Sequence, residues 1–304
     1  MRTICFVLAA LFAVAAPAAA QQQPFDTPAA KSSTRSAASD SEGIPVPKKS
    51  RVASLASSEK LEREATAQYA KLLDSAASQK ALAPADFPQL QRLQAIAKRL
   101  IPYTHRFSSR ADEWRWEVNL IGSKQINAFV MPGGKIVFYT GIIDRLKLTD
   151  DEIAMVMGHE MAHALLEHGR ERAGQQKVAQ AATIGASVLS QVMGYGDLGG
   201  LLASQTSKFT LLSFSRGDES DADLVGMDIA ARAGYDPRAG ISLWQKMAEA
   251  SKGEPPQFLS THPSHASRID NMRGSLPKVM PLYERVQASK VTPPSNRPNE
   301  NWGD

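Results

Sequence analysis

The sequence predicts an α+β domain in which a small antiparallel β-sheet or hairpin is set among many helices. Three observations support this fold class. Apolar residues recur at helical spacing from about residue 58, switch to the alternation of strands within residues 114–139, and return to helical spacing after residue 141. With 304 residues, 43% of them apolar, the chain can bury one sizeable core or two small ones.

The first twenty residues have the pattern of a secretory signal. Arg2 provides the positive start, residues 4–16 the apolar stretch, and residues 18–20 a small-residue cleavage site. This stretch is shorter than the roughly 20 apolar residues of a spanning helix, so we expect export, cleavage and no membrane span in the mature chain. The periplasm is the expected compartment, with full secretion as the alternative. Cys5 is the only cysteine and lies in the signal, so a metal site in the mature chain must use His, Asp and Glu.

Composition divides the remaining chain into three parts. Residues 21–50 are rich in Gln, Pro, Ser and Ala and predict a flexible linker, residues 51–290 a folded domain, and residues 291–304 a loose Pro/Asn-rich tail. The formal net charge of +4 is small and scattered, so no nucleic-acid partner is expected.

The first half of the predicted domain contains two helices and three strands. The helices cover residues 58–80 and 88–101, and Pro102 ends the second one. The strands cover residues 114–120, 126–131 and 135–139. The last two are joined by Pro132-Gly133-Gly134, where glycine can adopt a positive φ in a hairpin turn.

His159-Glu160-Met161-Ala162-His163 is the motif that carries chemistry. Residues four apart lie on the same face of a helix, so His159 and His163 can bind one zinc ion together. Glu160 follows the first histidine directly, and its carboxylate can reach water activated by the metal and act as general base. The pattern therefore predicts a peptidase with one Zn²⁺ per chain.

A well-specified helix carries this motif. Thr149 and Glu152 form a capping box at its start, and the intervening aspartates favour the positive end of the helix dipole. Apolar residues at helical spacing supply a core face. Gly169 is the predicted stop.

A catalytic zinc site needs a third protein ligand. The glycine of a metzincin motif is missing, and His168 is expected to point away from His163 and face solvent. Downstream, Glu219 and Asp223 are four apart and share a helix face. Glu219 is the candidate ligand and Asp223 the candidate partner that fixes one histidine's tautomer, although ordinary capping of an acidic helix start fits the spacing equally well.

These motifs together resemble the HtpX, BepA and CAAX prenyl protease family of gluzincin endopeptidases. The matches run in the family's order through roughly residues 58–285 and lie at the following positions: Asn127-Ala128-Phe129, Pro132-Gly133-Gly134, Thr140-Gly141, His159-Glu160-x-x-His163, Ser215-Arg216-x-x-Glu219-x-Asp221-Ala222-Asp223-x-x-Gly226, Thr261-His262-Pro263 and Arg268-Ile269. The resemblance implies a mostly helical zincin-type fold. It also implies a zinc ligand at Glu219 and an edge strand near Asn127, Ala128 and Phe129 to which a peptide substrate adds.

The resemblance implies a zinc endopeptidase of the bacterial cell envelope that acts on extended or misfolded proteins in quality control. His262 is expected to block the metal until substrate arrives, to stabilise the oxyanion, or to be an ordinary loop residue. The alternative function is an envelope or outer-membrane assembly factor, or a chaperone, whose protease activity is secondary or latent. Unlike the membrane-embedded family members, this chain offers only residues 178–193 as a span. That segment is interrupted by glutamines and is followed by a Gly-rich segment, 194–200, that could act as a lid.

Overall fold

The computed structural model describes residues 42–192, 213–253, 256–264 and 266–291. The predicted export signal, residues 21–41 of the predicted linker, the Gly-rich segment and nearly all of the predicted tail lie outside the described residues.

The described part of the chain is mostly helical around one small sheet, which confirms the α+β class. Its strands are β1 (Glu117–Ile121), β2 (Ala128–Met131) and β3 (Lys135–Tyr139). Its helices are α1 (Ser58–Ser78), α2 (Pro88–Leu100), α3 (Thr140–Leu146), α4 (Asp150–Leu165), α5 (His168–Val192), α6 (Arg216–Arg232), α7 (Ala239–Ala250), α8 (Gln257–Thr261) and α9 (Ala266–Val291).

The sheet has the order β1-β3-β2 and is mixed. The β2–β3 hairpin is antiparallel as predicted, and both turn glycines, Gly133 and Gly134, adopt a positive φ. The prediction of a purely antiparallel sheet is wrong for β1, which pairs with β3 in parallel. The chain reverses direction after β1 and again after β2, so β3 runs the same way as β1. Because β3 also lies between the other two strands, its pairing with β1 is parallel. This order leaves β2 at the edge.

The first predicted strand is also shorter than the sequence pattern suggested. Trp114 and Trp116 precede β1 and contact each other edge to face, with ring centroids 5.4 Å apart. The Trp116 indole N–H donates to the carbonyl of Ala111 at 3.2 Å. Their apolar alternation reflects core packing beside the sheet and not pairing within it.

Helix α4 lies in the centre of the molecule and packs most extensively against α6. The capping box of Thr149 and Glu152 is formed as predicted. Where the two helices cross, Gly158 and Gly226 face each other so closely that a Cβ on Gly226 would lie 2.7 Å from the backbone nitrogen of His159. Real Cβ atoms do not tolerate such a contact, so the glycine pair lets the two backbones touch beside the predicted motif.

The predicted stop of α4 at Gly169 is wrong. The helix ends at Leu165, and Glu167 adopts a left-handed conformation with φ of 64°. A new helix, α5, then begins at His168. The chain therefore turns two residues earlier than glycine would place it. In the part of the chain that the structure describes, no helix combines the length and apolar character needed to cross a membrane.

Residues 42–50, which composition assigns to the end of a flexible linker, pack against the domain. The backbone N–H of Ile44 donates to the Asp228 carboxylate at 2.8 Å, and the Ile44 side chain is buried. The carbonyl of Glu42 accepts a hydrogen bond from Arg232 at 2.6 Å. This part of the linker prediction is corrected because a single buried isoleucine and a buried carboxylate fix the segment, which a compositional average does not reveal.

Candidate metal centre

Helix α4 presents His159, Glu160 and His163 to one buried site. The Nε2 atoms of the two histidines lie 3.1 Å apart. Their spacing of four residues brings the two rings together on one face, and the crossing with α6 buries both rings almost completely. The Glu160 side chain is buried beside them, and its Oε1 atom has no hydrogen-bond partner among the described residues.

Helix α6 brings Glu219 and Asp223 to the same site. Glu219 Oε1 lies 3.4 Å from His163 Nε2, and its other oxygen lies 3.6 Å from His159 Nε2. Asp223 instead contacts the opposite nitrogen of the first histidine, with 3.0 Å between its Oδ1 and His159 Nδ1. The two acidic residues, one turn apart, thus reach the two sides of one imidazole.

His262 directly follows α8, and its side chain extends into the site. Its Nδ1 lies 3.3 Å from His159 Nε2 and 3.0 Å from Glu219 Oε1, while its Nε2 lies 3.4 Å from Glu160 Oε1. The ring is buried and stacked on Phe258, with centroids 4.4 Å apart. The histidine is therefore held inside the site and does not lie on the surface.

These four side chains have the arrangement of a metal-binding group. One donor atom from each of His159, His163, Glu219 and His262 lies within 4.8 Å of all the others. Ligands of a tetrahedral zinc at about 2.0–2.1 Å are separated by about 3.3 Å, and four of the donor pairs, at 3.0–3.4 Å, are close to that value.

The charges around the group also fit a divalent cation. The site contains three carboxyl groups, those of Glu160, Glu219 and Asp223. The guanidinium of Arg268 contacts those of Glu219 and Asp223. Acidic side chains therefore outnumber the guanidinium in a buried volume, and a divalent cation would compensate the excess when the carboxyls are ionised. The donor set and the acidic residues both fit a buried metal ion.

Arg268 is a site residue whose role the sequence did not reveal. Its Nε and Nη2 atoms donate to the two carboxylate oxygens of Asp223, each at 2.6 Å, and Nη1 lies 2.5 Å from Glu219 Oε2. The guanidinium also lies 3.5 Å from the ring centroid of Trp244. This side chain orients both acidic residues of α6. The pattern Thr261-His262-Pro263 with Arg268 was its only sequence signal.

The prediction that His168 faces solvent is wrong. His168 is buried, and its Nδ1 lies 2.9 Å from Nδ1 of His163. The left-handed Glu167 breaks the helical phase between the two residues, so an angle extrapolated along α4 does not apply. The Phe214 ring stacks on the same imidazole, with 4.0 Å between the ring centroids. His163 is therefore oriented by a histidine and a phenyl ring.

A scan against protein-family models matches residues 88–276 to peptidase family M48. The match spans more than half of the chain and includes every residue of the site. The chain belongs to peptidase family M48. This confirms the family that the motifs indicated.

Relatives of this M48 chain come from eukaryotes and from bacteria. It is 32% identical over 197 residues to bovine mitochondrial metalloendopeptidase OMA1, covering 61% of this chain and 37% of that protein. The Saccharomyces cerevisiae OMA1 is 29% identical over 226 residues, covering 70% and 64%. The beta-barrel assembly-enhancing protease of Escherichia coli is 30% identical over 180 residues, covering 56% and 36%. The chain thus spans less than two thirds of each relative.

Burial and pairing perturb the acid–base properties of the M48 site. Burial raises the pKa of Glu160. Burial also holds the pKa of His163 well below its ordinary value. For Glu219, burial acts to raise the pKa, but hydrogen bonds with His163 and His262 outweigh it and keep the carboxyl ionised. A neutral imidazole and an ionised carboxylate are the forms that bind a metal.

The predicted substrate-binding strand corresponds to the end of the 122–127 connection and β2. Asn127 caps the strand, with its Oδ1 accepting from the Ala128 N–H at 3.0 Å. The Ala128 side chain is buried, and Phe129 packs near Tyr139 with centroids 6.3 Å apart. The strand β2 packs against α4, the helix that carries His159, Glu160 and His163. It therefore lies next to the metal-binding group.

Proposed function

We propose that this protein is a zinc-dependent endopeptidase that hydrolyses peptide bonds in extended or misfolded polypeptides. The observation that carries the proposal is the buried group of His159, His163 and Glu219 with the Glu160 carboxylate beside it. Two imidazoles and one carboxylate leave one coordination position for reactants, which is the arrangement of catalytic zinc sites.

In this proposal His159, His163 and Glu219 hold the ion. Zinc would polarise the scissile carbonyl and make water acidic enough to attack at neutral pH. Glu160 accepts the proton of the attacking water and later delivers it to the leaving amine nitrogen. Its raised pKa suits both transfers, because a carboxyl poised closer to neutrality can accept and release a proton. Asp223 holds His159 through Nδ1, so that Nε2 is left for the metal.

The edge position of β2 supports the proposed way of binding substrate. An extended peptide can pair with the outer side of an edge strand through main-chain hydrogen bonds, which accepts many sequences. Because β2 packs against α4, a peptide that pairs with β2 would lie close to the Glu160 carboxylate. Such recognition suits unfolded polypeptides, since a folded substrate does not present a free strand.

We place this activity in protein quality control in the bacterial cell envelope. The export pattern of residues 1–20 supports this location. Assistance to envelope assembly is the second candidate function. Two relatives are named beta-barrel assembly-enhancing proteases, from Escherichia coli and Yersinia pestis.

Removal and return of the metal tests the proposed function. The purified chain is expected to cleave casein, to lose this activity when treated with a strong zinc chelator, and to regain it with stoichiometric zinc. Cleavage is measured by gel electrophoresis and by release of fluorescent peptides. Activity that survives while atomic emission finds no zinc would contradict the proposal.

His262 is proposed to close the site in the resting enzyme. Its Nδ1 takes the fourth corner of the donor group, where a reactant must enter. The ring must therefore leave before the peptide carbonyl can approach. His262→Ala is expected to raise the kcat/KM for short peptides by about tenfold while zinc content stays unchanged, which corresponds to roughly 1.4 kcal/mol for displacing the ring.

Phe258→Leu, which alters the ring stacked on His262 and keeps the histidine, is the matched variant. It should give a smaller increase in the same direction. A drop in kcat for His262→Ala, with unchanged zinc, would contradict the closing role and favour stabilisation of the oxyanion.

A further inference from the structure

A cleft next to the metal-binding group has no role in the mechanism above. It lies between α1, β2 and the end of α4, and its cavity volume is about 70 Å³. We propose that this cleft is the specificity pocket of the enzyme and receives one large apolar side chain of the bound polypeptide. The proposal rests on the proposed endopeptidase function.

Six of the residues that line the cleft are apolar. They are Leu61, Trp114, Val130, Pro132, Ala164 and Phe214. Two aromatic rings, three aliphatic side chains and a proline offer dispersion contacts to a ligand and few polar ones. A side chain that leaves water for this cleft gains about 25 cal/mol for each Å² of apolar surface buried, so leucine, methionine or phenylalanine gains most.

The charged residues of the cleft are paired with one another. Glu62 accepts hydrogen bonds from Arg110 at 2.8 Å and from the Trp114 indole N–H at 3.1 Å. At the other end, Glu167 accepts from Arg170 at 2.6 Å and from Lys49 at 2.7 Å. A charged side chain of the substrate would have to compete with these pairs and would lose its own hydration. The cleft therefore disfavours acidic and basic side chains.

The position of the cleft connects it to the reacting bond. His163, one of the metal-binding residues, forms part of its lining, and Val130 belongs both to the cleft and to the edge strand. In an extended peptide, successive side chains point to opposite sides, so one side chain near the scissile bond enters the cleft. The preference is expected at one fixed position relative to the cleaved bond.

The test is a cleavage-site profile of the full chain with zinc. A denatured protein digest is the substrate, and mass spectrometry locates the cleaved bonds. The expected profile shows large apolar residues enriched at one position. Leu61→Trp, which fills the cleft, should lower kcat/KM by at least about tenfold for a peptide with Phe at that position and hardly change it for Ala, since pocket contacts discriminate by about 10–200-fold.

Leu61→Ala and Leu73→Ala provide the matched comparison. Both leucines are half-buried on α1, but Leu73 packs in the small cluster beneath the sheet and does not line the cleft. Leu61→Ala should shift the preference toward larger residues such as Trp, and Leu73→Ala should leave it unchanged. Melting temperatures separate these effects from unfolding.

Failure of the pocket proposal can be distinguished from failure of the proposed endopeptidase function. Zinc-dependent cleavage without an apolar preference, or identical profiles for the Leu61 and Leu73 variants, would overturn the pocket and leave the endopeptidase intact. If the zinc-loaded chain cleaves no peptide of the digest, the endopeptidase function fails and the pocket proposal fails with it.

Discussion

Glu160→Gln is expected to retain zinc and to lose at least about a hundredfold in kcat, the usual scale of general acid–base catalysis. The amide has the same shape as the carboxylate but cannot accept a proton from water. Glu160 contacts His262 and is not among the residues of the metal-binding group, so the ion should stay in place. Steady-state cleavage of casein and zinc content by atomic emission are measured on the same sample.

Glu171→Gln is the matched control for this substitution. Glu171 lies on α5, and its side chain accepts a hydrogen bond from Gln175 at 3.0 Å and is not part of the metal-binding group, so the same loss of charge should leave kcat unchanged. Casein cleavage by zinc-loaded Glu160→Gln at the wild-type rate would exclude the general-base role. In cells, full rescue of a deletion phenotype by Glu160→Gln would instead make assembly or chaperone activity the primary function.

Glu219→Gln is expected to weaken zinc binding by more than about a hundredfold. Losing an outer hydrogen-bond partner of a ligand already costs about 10–100-fold in metal affinity, and Glu219 is proposed as a ligand itself. The neutral amide removes a negative charge from the centre of the group and frees Arg268, whose Nη1 lies 2.5 Å from Glu219 Oε2. Both changes favour expulsion of a cation. Competition with a chromophoric zinc chelator measures the affinity.

Asp221→Asn provides the control, because Asp221 lies on the same turn of α6 as Glu219. Asp221 belongs to the acidic run but not to the metal-binding group, so its zinc affinity should match that of the wild type. Equal affinities for the Glu219 and Asp221 variants would reject the ligand assignment and return Glu219 to the role of an acidic residue at a helix start.

The local features of the fold and of the site could be predicted because they depend on short stretches of sequence. The spacing of His159 and His163, the capping box of α4 and the hairpin turn are consequences of residues near one another in sequence. The proximity of Glu219 was different. Helical spacing alone did not distinguish a ligand from a capping residue, and the family resemblance supplied the choice. The contact of Gly158 with Gly226 gives the physical basis for that proximity.

The features that escaped prediction depend on tertiary structure. His168 was placed on the wrong side because the left-handed Glu167 resets the helical phase, and the sequence offers a glycine nearby as a more obvious stop. Arg268 reaches the site only because α9 packs against α6. The pairing of β1 is parallel because its neighbour in the sheet is β3 and not β2. Alternation of side chains along a strand does not indicate which strand lies beside it.

The most direct test of the proposed metal site is a crystal structure of the zinc-loaded protein with anomalous data collected on both sides of the zinc absorption edge. One zinc peak per chain is expected, about 2.0–2.1 Å from Nε2 of His159 and of His163 and about 2.0–2.2 Å from a Glu219 oxygen. A stoichiometric zinc ion bound elsewhere, with Glu219 outside its coordination sphere, would contradict it.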